Sequence, residues 1–277
     1  MTNSVHTNNA AAVALQNLTT TNQRMTDVQG RISTGLKIQG AKDNAAVWAI
    51  AQGQRADTSA LGAVKASLDR ATSIADVALS AGESISDLLN QLKEKVVAAK
   101  DESLKTQSRQ LLNADFQALI KAIGSAVQNA AFDGSNILNG SLTNGIRFLA
   151  NADASSSITL SAKDLSLGGA IIELATSDSL LTLTGANQAL TRLDDSITQL
   201  NAALGELGSQ AKQIEAHNGF VSKLMDTLES GIGNLVDADL AKESAKLQAL
   251  QVQQQLGAQA LSIANQSPQI ILSLFQG

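Results

Sequence analysis

The chain has no cysteine and no tyrosine, one tryptophan (Trp48), one proline (Pro268) and only 2% aromatic residues over 277 positions. Each shortage excludes something. Without cysteine no disulfide can form, and the redox compartment is left unspecified. With so few rings there is little to fill a thick globular core. The 44% apolar content is largely Ala interspersed with Leu, Ile and Val, the composition of long helices with narrow packing seams. A single proline near the end permits long uninterrupted helices. No basic block stands out in a chain of net charge −5, which argues against a nucleic-acid partner. No apolar run reaches the eighteen or so residues of a membrane span, so no membrane partner is expected. Met1 to Asn9 is polar and lacks a charged segment leading into an apolar one, so no cleavable signal peptide is read there. The length is enough for one large or two modest domains.

What is present is helical periodicity. Residues 9–34 read as one amphipathic helix through Leu15, Leu18, Met25, Val28 and Ile32, starting from the polar Asn8-Asn9. Gly35 lies where that helix would end, Gly40 loosens the next few residues, and residues 35–43 read as a linker or bend. Asp43-Asn44 can start a second helix at Ala45, and a third tract runs from about Ser59 to Ala99. A polar break at Lys100–Ser103 precedes a fourth tract, Leu104 to Asn129, and so short a break favours an antiparallel pair. From about residue 133 to 180 the chain turns Gly-, Ser-, Thr- and Asn-rich. Asn139-Gly140 and Asn144-Gly145 signal turns, and a small region of β-hairpins is expected. Helical spacing returns from about Gly185 to Val236.

The C-terminal segment is the most informative. Leu240, Leu247, Leu250, Leu261 and Ala264 fall on one heptad seam, with Gln254 and Gly257 as weak positions. A helix over about 238–266 is expected, supported by Asp237 and Asp239 at its positive end and broken by Pro268. An apolar helix with no further domain to cover it needs a partner. The symmetry of the chain offers one, since a natural closure brings the first and last helices together. The fold class is therefore mainly α with a small β-hairpin region, built of long antiparallel helices whose terminal pair forms a coiled coil.

Chemistry-bearing clusters are missing. His6 and His217 are the only histidines, and neither lies in a ligand constellation. Asp194-Asp195 and Asp237/Asp239 read as helix caps and solvated faces, not as an acid–base pair. Gly168-Gly169 lacks a phosphate-binding pattern. No enzyme activity, metal or cofactor is expected.

Both ends of the chain resemble bacterial flagellin. Arg31-Ile-Ser-Thr-Gly35-Leu-Lys-Ile38, Ala41-Lys-Asp-Asn-Ala45-Ala46 and Ala49-Ile50-Ala51 match the N-terminal signature of that family. Leu235-Val-Asp-Ala-Asp-Leu240, Glu243-Ser-Ala, Gln254-Gln255-Leu256, Gln259-Ala260-Leu261, Ile263-Ala-Asn265 and the closing Ile271-Leu-Ser-Leu-Phe275 match the other. Phe132-Asp-Gly134 with Ile137-Leu138 resembles the segment that precedes the family's hairpin, and the short centre is similar to alphaproteobacterial flagellins without large outer domains.

The resemblance implies a filament subunit that is exported unfolded and polymerises into a helical tube outside the cell. Residues 1–44 with 237–277 would form an inner-tube coiled coil, and 45–236 a surrounding helical shell. Leu15, Leu18, Met25, Val28 and Ile32 would pack against Leu240, Leu247, Leu250 and Leu261, with Phe275 closing the assembly segment. Gly35, Gly40 and Asp43 would form the bend, and Arg31, Asp43 and Arg55 would make polar contacts between subunits. Gln254 and Gly257 would face neighbouring subunits or the channel. Implied partners are further copies of the chain or other flagellins, the cap and hook-junction proteins, and an export chaperone. The stretch Gln91, Lys93, Glu94 and Lys95 aligns with the helix patch that an animal Toll-like receptor reads. Gln91 stands where strong agonists carry Arg, and Lys95 where they carry Leu, which implies weak activation. Hook–filament junction proteins and helical secretion-apparatus components are the alternatives within assembly proteins.

Overall fold

The computed structural model describes residues 7–274, with side chains to residue 266. His6 and Phe275 lie outside the described side chains. In chain order the elements are α1 (Asn9–Thr34), α2 (Ala45–Ala99), α3 (Thr106–Asn129), β1 (Ile146–Leu149), β2 (Ser157–Leu160), α4 (Leu183–Val236) and α5 (Leu240–Leu274).

The ends of α1 follow from local chemistry. The Asn8 carboxamide oxygen accepts from the Ala11 N–H at 3.0 Å, satisfying one of the donors that a helix start leaves unpaired. Gly35 adopts φ +72° at the C-terminus, and its N–H donates to Arg31 O at 2.9 Å. Threonines along the helix, among them Thr19, Thr21 and Thr34, return their hydroxyl protons to carbonyls one turn back.

Two boundaries differ from the sequence expectation. The second and third tracts are one helix of 55 residues, α2. Gly53 is the weak point between them, but a lone glycine costs a helix only about 1 kcal/mol relative to alanine, and its Ala- and Gln-rich flanks sustain the helix. At the other end, α5 does not stop before Pro268 but continues to Leu274. Proline removes one N–H, whose helical acceptor would be the carbonyl of Ala264. That carbonyl accepts instead from the Asn8 side chain at 2.7 Å, which offsets the loss.

By density of contacts the chain divides into two units, Met1–Ala56 with Thr227–Gly277, and Asp57–Asp226. The second unit holds most of the buried residues. Ile85, Leu89, Leu92 and Val96 of α2 and Phe116, Ile120, Ile123 and Val127 of α3 recur every three or four positions, Leu193, Leu200, Leu207, Ile214 and Val221 of α4 recur every seventh, and all are buried, as are Leu61 and Leu68 of α2. Gly82 lets α2 approach α4, since a Cβ there would stand 2.2 Å from Leu204 Cδ2.

Between residues 133 and 180 the described residues contain one two-stranded antiparallel hairpin instead of several, with Ile146 opposite Leu160 and Leu149 opposite Ser157. Side chains take over the turn hydrogen bonds elsewhere. Ser141, Ser155 and Ser166 donate their N–H groups to the side chains of Asn139, Asp153 and Asp164 at 3.0, 3.2 and 3.0 Å. Backbone served in this way has no need of a partner strand. The Ser155 N–H, then its hydroxyl, hold the Asp153 carboxyl below the ordinary carboxylate range. Buried Asn136 bonds Val127 O at 2.7 Å and the Leu138 N–H at 2.8 Å, tying the segment to α3. Gly145 must be glycine, with φ +71° and the Leu160 carbonyl oxygen 2.2 Å from where a Cβ would lie.

Candidate assembly interface

In the first unit α1 and α5 run antiparallel, since partners descend on α5 as they ascend on α1. Asn8 reaches Ala264, Leu18 lies against Gly257, Gln254 donates to Asn22 Oδ1 at 2.7 Å, and Arg31 pairs with Glu243. Among the shielded positions of α1, Ala11, Ala14, Leu18, Thr21, Met25, Val28 and Ile32 follow a heptad. Those of α5 are Glu243, Leu247, Leu250, Gln254, Gly257, Leu261 and Ala264.

Several predicted residues take other places. Leu15 is 54% exposed, and Ala14 holds the seam position in its stead. Counting back from Leu18 by four gives Ala14, so the spacing contains the signal that side-chain size obscures. Leu240 is 49% exposed at the first residue of α5. Gln254 and Gly257 face α1 within the same chain, not outward. At Gly257 the two helices approach closely, its Cβ position lying 3.3 Å from Leu18 Cδ1.

Glu243 stands in the sequence as part of a family signature, with nothing local to mark it, yet it is the buried charge of the unit, only 6% exposed. Its Oε1 lies 3.7 Å from Arg31 Nη1 and 3.0 Å from Lys246 Nζ. The carboxylate sits in the first turn of α5, where the helix dipole favours it, and Arg31 in the last turn of α1, where a cation is favoured. Arg31 is thus engaged inside its own chain.

The bend is a small structure in its own right. The N–H groups of Lys37 and Ile38 both donate to Val236 O, at 2.7 and 3.3 Å, and the Ala238 N–H donates to Gly35 O at 2.8 Å. These bonds make Leu36 and Asp237 an antiparallel bridge joining the two chain crossings. Ile38, Ala51, Ile232 and Val236 are buried beside it, with Trp48, Val47, Leu36 and Leu235 packed against them. Asp43 closes the turn, its carboxylate accepting from the Gln39 and Gly40 N–H groups at 2.8 and 3.2 Å. Arg55 is exposed on α2 and donates to Gln52 Oε1 at 2.9 Å.

In the second unit Gln91, Lys93 and Glu94 are exposed and Lys95 is half-buried. Lys93 pairs with Asp194 at 2.7 Å, and Lys95 lies 3.9 Å from Glu94. His217 Nε2 is bonded to the Ala150 carbonyl at 2.7 Å. Among the described residues no cluster of His, Cys, Asp and Glu could hold a metal, and no helix is long and apolar enough to cross a membrane.

Two properties distinguish the terminal pair. Residues 7–23 and 247–274 carry no Asp, Glu, Lys or Arg, so the described tip of the pair has no charged side chain. And α5 has a second apolar face. Val252, Leu256 and Ile263 are 56%, 59% and 69% exposed. At 3.6 residues per turn they lie nearly opposite the seam made by Leu250, Gln254 and Leu261. An exposed apolar stripe of this kind marks an interaction surface.

A mainly helical chain whose first and last helices pair, the last with an uncovered apolar face, has the architecture of a structural assembly subunit. Comparison with known proteins makes this specific. The bacterial flagellin N-terminal helical region matches residues 5–143, and the bacterial flagellin C-terminal helical region matches residues 190–275. The chain is 56% identical over 278 residues to flagellin FljJ of Caulobacter vibrioides, covering 99% of both. It is 39% identical over 282 residues to a flagellin of Brucella melitensis, again covering 99% of both. A solved structure described as a putative flagellar hook-associated protein of Vibrio parahaemolyticus shares the fold, with TM-score 0.58 and 13% identity over 70% of this chain and all of that one. The chain belongs to the bacterial flagellin family; it is a structural subunit of the extracellular flagellar filament and not an enzyme.

Proposed function

We propose that the α1–α5 unit lines the inner tube of the filament and that the Val252, Leu256 and Ile263 face of α5 is covered there by a neighbouring copy. The observation that carries this is the two-sidedness of α5: one apolar face is spent within the chain and the other is exposed. A repeated contact between unlike surfaces gives an open helical polymer when its rotation does not close. Ordering each residue of a lone helix costs about 1–2 kcal/mol, so terminal segments of this kind gain their order on assembly. The 45–236 segment would form the outer shell, with the β1–β2 hairpin facing outward. The bend closed by Gly35 and Asp43 would connect tube to shell, where packing changes can bias straight against curled filaments. Secretion of the unfolded chain, an export chaperone, and cap and hook-junction partners complete the reading.

The absence of cysteine makes a direct test available. Single substitutions Val252→Cys, Leu256→Cys and Ile263→Cys are expected to react with a maleimide in the monomer and to be protected in the polymer. Thr143→Cys, on the approach to the hairpin, is expected to react in both. Full labelling of the α5 positions in intact filaments would remove them from the interface.

The receptor patch yields a second expectation. With Gln91 in place of a guanidinium and Lys93 already paired to Asp194, the surface has few of the contacts an Arg-reading pocket needs. Purified monomer is expected to activate flagellin-sensing reporter cells weakly. Potency equal to that of an enteric flagellin would overturn this.

A further inference from the structure

We propose that Asn8 is a register clasp for the terminal helix pair, recognising the one carbonyl that Pro268 deprives of its helical donor. Each carbonyl in an α-helix accepts from the N–H four residues on. For Ala264 of α5 that residue is Pro268, the only proline in the chain, and it has no N–H to give. Ala264 is half-buried on the side of α5 that faces α1. The carboxamide of Asn8 supplies the missing bond, Nδ2 to Ala264 O at 2.7 Å. Its oxygen is used at the same time, accepting from the Ala11 N–H at 3.0 Å and starting α1. One side chain therefore begins the first helix and completes the last, across 256 positions of sequence.

The position matters because no charged side chain fixes the register there. Charges stop at Arg24 on α1 and at Lys246 on α5, so no ion pair can report a slip within the tip. The seam contains Ala11, Ala14, Gly257 and Ala264, small residues that resist sliding poorly. Among the described residues the Asn22–Gln254 bond and the seat of Leu18 against Gly257 also tie the two helices. Sliding α5 by one residue would aim Asn8 at a carbonyl already served and leave Ala264 without a donor. A buried polar residue is a known way of selecting one register of a helix pair at some cost in stability. Pro268, by its residue type a helix terminator, is the mark that Asn8 reads.

The clasp predicts a specific energetic coupling, testable with the full chain polymerised on filament seeds. Asn8→Asp keeps the oxygen that caps α1 but cannot donate to Ala264. Pro268→Ala restores the helical N–H and makes the clasp redundant. Asn8→Asp alone is expected to raise the critical concentration for polymerisation by about tenfold, the scale of one partly buried acceptor left unmet. In the Pro268→Ala background the same substitution is expected to change it less than about twofold. An equal effect in both backgrounds, or none in the parent, would overturn the proposal. The reading is a ratio between backgrounds, so it depends on α1–α5 pairing in the polymer but not on which surface of α5 a neighbour covers. Failure of the maleimide protection would therefore leave this cycle interpretable.

Discussion

Deleting residues 262–277 is expected to give a soluble monomer that no longer polymerises at any accessible concentration. The cut removes Ile263 from the outer face of α5, and Ala264 and Pro268 from the clasp. It leaves α1 with nothing opposite Ala11 and Asn8, so the start of that helix loses its cover as well. The first turns of α1 then have no partner helix, and an unpaired helix end in water frays. The second unit is untouched, because its buried positions on α2, α3 and α4 lie between residues 61 and 221. Circular dichroism is thus expected to retain a cooperative helical melt, while sedimentation after seeding shows single chains. Filaments of normal length from the truncated chain would show that the end of α5 is not the assembly element.

How far this architecture is legible from the sequence depends on which physical signal each part uses. Helix starts are readable because they are written in one or two residues. Asn8 and Gly35 bound α1, and Asn44 caps α2 through the Val47 N–H at 3.1 Å. Helix interiors are readable from apolar period. Interruptions are not, because a glycine or proline signals only a local cost, and that cost is settled elsewhere in the fold. Gly53 is absorbed by a 55-residue helix. Pro268 is absorbed by a side chain from the opposite end of the chain, which no local window could contain.

The seam shows the same division. Leu18, Met25, Val28, Leu247, Leu250 and Leu261 are visible as large apolar side chains in heptad steps. Leu15 misleads because its size outweighs its spacing, and Ala14 and Thr21 escape notice for the converse reason. Gln254 and Gly257 look like defects of the stripe. Each has a partner of matching shape or polarity on α1, Asn22 for the one and Leu18 for the other, and partners are a property of the pair and not of either helix. Arg31 and Asp43 are types that look like intermolecular contacts in a sequence. Here both close their own chain first, Arg31 onto Glu243 and Asp43 onto the bend.

Reversing the charge of Glu243 is expected to weaken assembly strongly, and the reversal has a built-in control. Glu243 is buried between Arg31 Nη1 at 3.7 Å and Lys246 Nζ at 3.0 Å. A lysine in its place would set a third cation beside these two with no anion to answer them. Breaking a buried pair costs about 3–5 kcal/mol; Arg31 and Lys246 are partly exposed, so the lower end applies, about 3 kcal/mol. On that scale the critical concentration rises by about a hundredfold or more. Glu243→Gln, which keeps the shape and loses only the charge, is expected to be milder. The control is Arg31→Glu in the Glu243→Lys chain, which places opposite charges on the same two positions and is expected to recover much of the loss. Recovery would show that the pair joins the end of α1 to the start of α5 within one chain. If Glu243→Lys polymerises like the parent, the buried carboxylate does no work in assembly. If Arg31→Glu fails to rescue it, the requirement is for a carboxylate at the first turn of α5, where the helix dipole itself discriminates between the two charges.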